Sequence, residues 1–191
     1  MAYTIRPART SDVSGIRKLI DANVESGRLL SKATVTLYED VQEFCVADLD
    51  RDTMLAGCGA LHVMWEDLAE IRTIAVREDC QGLGIGHGIV DALLARARAV
   101  GVDRVFVLTF SVSFFGRHGF QPISGTPVAA EVYQELLRSY DEGVAEFLDL
   151  ERVKPNTLGN TRMLVRLLPV RGKVVRGTAE RSRLCGRISP R

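Results

Sequence analysis

The stretch Gln81-Gly82-Leu83-Gly84-Ile85-Gly86-His87-Gly88 has the residue types and spacing that point most directly to chemistry. Four glycines alternate with other residues, so the backbone can bend sharply and approach a ligand with no Cβ in the way. An apolar strand-like run, Ala69 to Arg77, leads into it, and a helix-like run, Ile85 to Val100, follows. The start of such a helix offers free amide N–H groups and the positive end of its dipole, which suits an anion and above all a phosphate. The spacing excludes two known phosphate loops. A dinucleotide fingerprint needs glycine where His87 or Ile89 stands, and a P-loop needs Gly-Lys-Ser/Thr at its end. What remains is Gln-x-x-Gly-x-Gly between a strand and a helix.

A chain of 191 residues can bury one sizeable core, so one domain is expected. The 46% hydrophobic and 26% charged content is that of an ordinary soluble protein, and no run approaches the roughly 18 apolar residues of a membrane span. Thr4, Arg6 and Arg9 with no apolar stretch behind them do not read as a signal peptide, so the expected compartment is the cytoplasm. Net charge is +1, unevenly placed: residues 169–191 hold seven basic residues and Glu180, which leaves 18 of the 25 basic and 23 of the 24 acidic residues before Pro169. The mildly acidic body argues against nucleic-acid binding, and the basic tail is expected to be disordered. Cys45, Cys58, Cys80 and Cys185 have no paired spacing, and His62, His87 and His118 are scattered, so neither a metal site nor a disulfide framework is expected.

The elements that must position the loop follow from periodicity. Tyr3 to Pro7 reads as a strand; Thr10, Ser11 and Asp12 offer N-cap oxygens to a helix with the apolar stripe Val13, Ile16, Ile20 and Val24, stopped near Gly27. A shorter helix is expected over Val35 to Glu43. Phe44 to Asp48 and Met54 to Trp65 form a hairpin around the acid-rich turn Leu49 to Thr53. Ile85, Ile89, Leu93, Ala97 and Val100 make a buried stripe ended by Gly101, and Arg104 to Thr109 reads as a parallel neighbour of the 69–77 strand. A brief helix over Ser111 to His118, another over Val128 to Tyr140, loop from Glu146 to Gly159 and a strand from Thr161 to Leu168 complete the body. The order β-α-α-β-β-β-α-β-α-β predicts an α/β fold. Its sheet is mixed and mostly antiparallel with one parallel strand pair, and helices cover both faces.

That order, with Gln81 to Gly86 at its centre and Phe114-Phe115-Gly116-Arg117-His118-Gly119-Phe120 about thirty residues later, resembles the GCN5-related N-acetyltransferases over residues 1–168. The resemblance implies acetyl-CoA as co-substrate, its pyrophosphate on Gln81, Gly82, Leu83, Gly84, Ile85, Gly86 and His87. It also implies a splayed strand whose main chain at Ile74, Ala75 and Val76 meets the pantetheine, with Phe114 and Phe115 flanking it. Glu70 to Val76, Gly27 to Lys32 and Lys154 to Met163 are further similar to the acetyltransferase-only N-acetylglutamate synthases of arginine biosynthesis. Longer members of that group carry an amino-acid-kinase domain, for which 191 residues leave no room.

Acetyl transfer to an α-amine needs the nitrogen neutral, so a base must take a proton. The resemblance gives that role to Glu70, with a backbone N–H near Ile74 as oxyanion donor. Where many relatives have an acid tyrosine this sequence has Phe115, which cannot donate; Thr109 and Ser111 are the alternative acids, and a CoA thiol can also leave unaided. The resemblance places Lys32, Arg72, Thr73, Asn160, Thr161 and Arg162 around a small acceptor, L-glutamate or a similar amino acid. Acetylation of another small amine, of glutamine or of a protein lysine, and a non-catalytic CoA-binding module, stay open. So does assembly as a monomer or homodimer.

Overall fold

Strand alternation and helix periodicity combine into one seven-stranded sheet between two layers of helices. The computed structural model describes residues 2–24, 29, 31–50, 52–150 and 159–168. The strands are β1 (Tyr3–Pro7), β2 (Phe44–Leu49), β3 (Leu55–Trp65), β4 (Leu68–Val76), β5 (Arg104–Thr109), β6 (Gln121–Pro122) and β7 (Thr161–Arg166), in the order β1-β2-β3-β4-β5-β7-β6. Every neighbouring pair is antiparallel except β4 and β5. The helix between those two, α3 (Ile85–Ala99), is the crossover that a parallel pair requires.

Side chains of β4 divide the sheet. Ala69 and Ile71 point to the face where α3 packs with Val105, Val107, Met163 and Phe115. Leu68, Glu70 and Arg72 point the other way, because successive strand residues alternate. On that second face α1 (Val13–Val24) and α2 (Thr34–Glu39) cover Val46, Cys58, Ala60 and Ala75. Farther along, α5 (Ala130–Leu136) and α6 (Glu142–Phe147) cover Met64, Leu68, Phe106 and Leu164. Phe147 meets Phe106 edge-on at 5.1 Å, both fully buried, each worth roughly 1.5–3 kcal/mol of burial. Glu70 and Arg72 therefore lie between two separate helix pairs.

The structure adds to and corrects the expected elements. Thr10–Asp12 is a 3₁₀ turn, in which the Asp12 carboxylate reaches back to accept the Arg9 N–H at 2.7 Å. The second helix ends at Glu39, and a 3₁₀ turn, Val41–Glu43, follows. Val100 is 55% exposed; the buried stripe of α3 ends at Ala97, and Gly101 at φ 93° closes the helix. Two elements are absent from the expectation. β6 is a two-residue edge strand, too short to carry a period, and α6 runs into the stretch expected to be loop from Glu146. α6 follows a sequence signal of its own: the Asp141 side chain caps it by accepting the Val144 N–H at 3.1 Å, and Val144, Phe147 and Leu148 form its apolar face. The expected stop at Gly27 and the basic tail over residues 169–191 lie outside the described residues. Among the described residues no helix is long and apolar enough to cross a membrane.

Candidate active site

β4 and β5 start as neighbours and then part. Their register runs Leu68↔Arg104, Ala69↔Val105, Glu70↔Phe106 and stops there, although β4 continues to Val76 and β5 to Thr109. The cause lies on the β3 side of β4. The β3–β4 register shifts between Cys58 and Ala60, and opposite that shift Thr73 takes φ 58°, a left-handed conformation rare for a β-branched residue. β5 keeps its ladder with β7 to Thr109 and does not follow the bend. The edge of β4 beyond Glu70 thus turns main-chain groups toward an open wedge instead of toward β5.

At the wide end of the wedge β4 runs through a 3₁₀ turn, Glu78–Cys80, into the glycine loop. Gly82 and Gly84 have φ 78° and 80°, so both use a conformation that a side chain would strain. Gly84 caps α3 without a side chain, which leaves the amides of Ile85, Gly86 and His87 with no acceptor inside the helix. The Tyr3 hydroxyl donates to the Gly84 carbonyl at 3.3 Å, and Phe114 packs near Gly86. The loop is not sealed by its neighbours: a Cβ added to Gly82 would meet nothing within 4 Å, and Leu83 is exposed.

The narrow end holds Glu70, which is 3% exposed and whose Oε2 is buried without a hydrogen-bond partner. Gly143 of α6 lies directly over it, so close that a Cβ there would stand 2.1 Å from Oε2. Burial pushes the Glu70 carboxyl up to about 7, against the pull of Arg72 and with help from Glu146 and Asp141. Beside it Arg72 donates from Nη1 to Asp141 at 2.7 Å and from Nη2 to Glu43 at 3.0 Å, with Asp40 at 3.6 Å. His62, the register partner of Glu70, bonds Glu43 through Nδ1 at 2.6 Å, with Asp141 3.8 Å from its Nε2. Burial works against the charges of Glu43 and Asp141, but Arg72 and His62 hold both carboxyls below the usual range. Burial, followed by Glu142 and Asp141, pushes Glu146 up to about 7. Five carboxyl groups, Asp40, Glu43, Glu70, Asp141 and Glu146, therefore surround Arg72 and His62, with Lys32 close enough to act on Asp40 and Glu146. Such a concentration of carboxyls attracts an ammonium, and one of them in its ionised form can relieve it of a proton.

A model of the acetyltransferase (GNAT) family matches residues 18–120. An amino-acid acetyltransferase of Mycobacterium tuberculosis is 60% identical over 163 residues, 84% of this chain and 92% of that protein. This chain belongs to the GNAT family. Among solved structures it is similar to Rv2747 from Mycobacterium tuberculosis in complex with CoA and NLQ, with TM-score 0.83 and 60% identity over 86% of this chain and 99% of that one. It is also similar to the N-acetylglutamate synthase of Neisseria gonorrhoeae complexed with coenzyme A and N-acetyl-glutamate, with TM-score 0.69 and 25% identity over 88% of this chain and 36% of that one. The longer amino-acid acetyltransferase of Edwardsiella ictaluri is 31% identical over 124 residues, 28% of its length.

As a GNAT site, the wedge and loop have the fit that a CoA arm asks for: a β4 edge over Ile74 to Val76 with β3 on one side and no strand on the other, then amides with no acceptor inside the helix at the start of α3. Of the residues singled out in the sequence, Glu70, Arg72 and Thr73 come together at the fork, and Ile74 and Val76 are half-buried along the wedge. Ala75 turns its side chain into the α1 core, leaving only its backbone to the wedge. Phe114 stacks on His87 at 4.6 Å, whereas Phe115 is buried and meets Phe114 and Phe120 edge-on, a core residue before anything else. Thr109, buried at the end of β5, accepts the Ser111 N–H at 2.9 Å, and Ser111 is exposed at the start of α4 (Val112–Gly116). Arg162 donates to the Phe147 carbonyl at the end of α6 and lies 5.8 Å from the Phe106 ring. Thr161 faces Thr109 across the β5–β7 ladder. Glu70 Oε2, Asn160 Oδ1 and Arg162 Nε are the buried side-chain polar atoms without a partner among the described residues. Such atoms are uncommon in folded proteins, and these three belong to residues that the sequence alone assigns to the site. Sequence reasoning missed Asp40, Glu43, His62, Asp141, Gly143 and Glu146. The Asp141 helix cap was the one local signal among them.

Proposed function

We propose that this GNAT chain transfers the acetyl group of acetyl-CoA to the α-amine of L-glutamate. The observation that carries the reading is Glu70: a buried carboxyl with an unpartnered oxygen, titrating near neutral pH, at the point where β4 and β5 part. In its ionised form it takes a proton from the acceptor's ammonium, drawn in by the surrounding acids. The neutral amine attacks the thioester carbonyl carbon, a backbone N–H near Ile74 supports the oxygen, and the C–S bond breaks as the CoA thiolate departs and takes up the proton that the nitrogen sheds on becoming an amide. Phe115 supplies no proton, and the hydroxyls at hand for the leaving thiolate are Thr109, at the end of β5, and the exposed Ser111 two residues later. Lys32, Asn160 and Arg162 are the groups available to the acceptor's carboxylates, and Arg72 joins them when it exchanges Asp141 for one of those carboxylates. The glutamate assignment is supported by the amino-acid acetyltransferase and N-acetylglutamate synthase relatives. A cytoplasmic location goes with it, since free Cys45, Cys58 and Cys80 suit a reducing compartment.

The engagement of Arg72 by Asp141 and Glu43 favours a second acceptor, L-glutamine, whose uncharged side-chain amide asks for no free guanidinium. A thiol-release assay with acetyl-CoA and a panel of L-glutamate, L-glutamine, other amino acids and a lysine peptide tests both. CoA release selective for L-glutamate is the expected result. Release with glutamine alone replaces the first acceptor by the second, and binding of CoA with no release under any amine overturns the enzymatic reading.

The pH profile supplies a separate test. Turnover is expected to rise with pH through about 7 as Glu70 loses its proton. Glu146→Gln removes one of the negative charges that hold that proton on, so the midpoint should move to lower pH while the limiting rate at high pH is kept. A midpoint that stays in place, or moves up, would show that the two carboxyls are not electrically coupled.

A further inference from the structure

Where α3 meets the turn after α4, three side chains form a chain that the acetyl-transfer chemistry does not use. His87 Nδ1 lies 2.8 Å from His118 Nε2, and His118 Nδ1 lies 3.0 Å from Asp91 Oδ1. His87 is the third residue of α3, in the turn whose amides have no acceptor inside the helix, and Asp91 follows it by four residues on the same helix face. Phe114 lies against the flat side of the His87 ring at 4.6 Å, and the His118 ring is 5.0 Å away. The ring of His87 is thus held at its Nδ1 edge and on one face. Its Nε2 edge has no partner among the described residues.

Counting protons along the chain decides what that edge offers. The Asp91 carboxylate can only accept, so His118 carries its hydrogen on Nδ1, and its Nε2 accepts from the Nδ1–H of His87. With those two protons in place, Nε2 of His87 presents a lone pair, which repels a phosphate oxygen. A third proton turns it into a donor, and the Asp91 charge at the far end offsets the positive charge created. Around the pair, Asp91 is the charged side chain on α3, Phe114 and His118 come from α4 and its following turn, and Tyr3 of β1 is bonded to the Gly84 carbonyl. No other charged side chain bonds either imidazole among the described residues.

We propose that Asp91 and His118 are positioning residues that hold a protonated His87 as hydrogen-bond donor to a phosphate of CoA, so that binding the phosphate takes up one proton. The proposal rests on the reading of the glycine loop as the cofactor's phosphate site and extends it to a side-chain relay. The shared ligand chemistry is a phosphate oxygen, from either the diphosphate or the 3′-phosphate.

The test compares wild type with Asp91→Asn, an exposed substitution that keeps a hydrogen-bond acceptor for His118 and removes its charge, and with His87→Phe, which keeps a ring against Phe114. Titration calorimetry of CoA binding in two buffers of different ionisation enthalpy should show proton uptake in wild type and its loss in both variants. CoA affinity should fall about tenfold, the worth of a charge-assisted hydrogen bond. kcat/KM for acetyl-CoA should fall in parallel in both variants, and in Asp91→Asn that for acetyl-pantetheine, which has no phosphate, should not. If the loss persists with dephospho-CoA the diphosphate is the partner, and if it disappears the 3′-phosphate is; either outcome supports the relay. No proton uptake in wild type, or equal weakening of acetyl-CoA and acetyl-pantetheine, overturns it in favour of a clasp between helices. Failure of wild type to bind CoA at all instead removes the acetyltransferase reading beneath it.

Discussion

Glu70→Gln should lower kcat by about 100-fold or more, the usual worth of a general base, while leaving CoA affinity near that of wild type. The substitution keeps size and shape and removes the carboxylate proposed to accept the amine's proton. CoA affinity is expected to be set elsewhere, at the glycine loop on the far end of the wedge, so the two properties should separate. The same variant should become more stable, and only on the alkaline side. Burial raises the Glu70 carboxyl from 4.5 to about 7, so the folded state binds the proton more tightly than the unfolded chain. The associated stability is fully present below about 4.5 and is lost as pH rises through about 7, where the carboxylate is forced to ionise in a buried place. Glutamine never ionises. Its gain over wild type should be on the order of 1–3 kcal/mol above neutral pH, reduced by its own buried amide, and should vanish near pH 4. Denaturant melts of both proteins at acid and alkaline pH, alongside steady-state rates, measure this. A variant that keeps more than a tenth of wild-type kcat would remove Glu70 from the proton path. Equal stabilities at alkaline pH would mean that the carboxyl is not buried as described.

Gly143→Ala should be nearly as damaging, for a steric reason. Its Cβ would stand 2.1 Å from Glu70 Oε2, 3.0 Å from the carboxyl carbon and 3.1 Å from Asp141 Oδ1. The Glu70 side chain is buried beneath it, on a strand tied on both sides to β3 and β5, so the accommodating move falls to α6. Lifting α6 draws Asp141 off Arg72, where the contact is 2.7 Å, and loosens Phe147 from Phe106. Overpacking of this kind costs about 1–3 kcal/mol. Turnover should fall at least about tenfold as the base loses its setting, since even small misplacement of a catalytic group is costly. CoA affinity should hold, because the loop proposed to take it lies at the other end of the wedge. Calorimetric CoA binding together with initial rates distinguishes this from general unfolding. Turnover within twofold of wild type would show that α6 does not rest on Glu70 during catalysis.

What could be read before folding was local. The glycines at 82 and 84 set a turn that only residues without a Cβ adopt easily, and the four-residue spacing of Ile85, Ile89, Leu93 and Ala97 sets the helix behind it. Glu70 sits in a recognisable strand, so its candidacy could be stated, and Asn160 and Arg162 could be assigned to the acceptor side through resemblance. The fold class followed because one parallel step demands a crossover helix.

What tertiary structure decided was the state of those groups. Arg72 reads as a free cation waiting for a substrate carboxylate; in the fold it is already held by Asp141, 69 residues later, and by Glu43. Glu70 reads as an ordinary strand-end carboxyl until Gly143 covers it and removes its water. His87 and His118, scattered in the chain, become bonded neighbours only when the turn after α4 docks on α3. The physical reason is the same in each case. Backbone conformation responds to near neighbours in sequence, whereas desolvation and charge pairing depend on which distant side chains the packed core brings within a few ångströms.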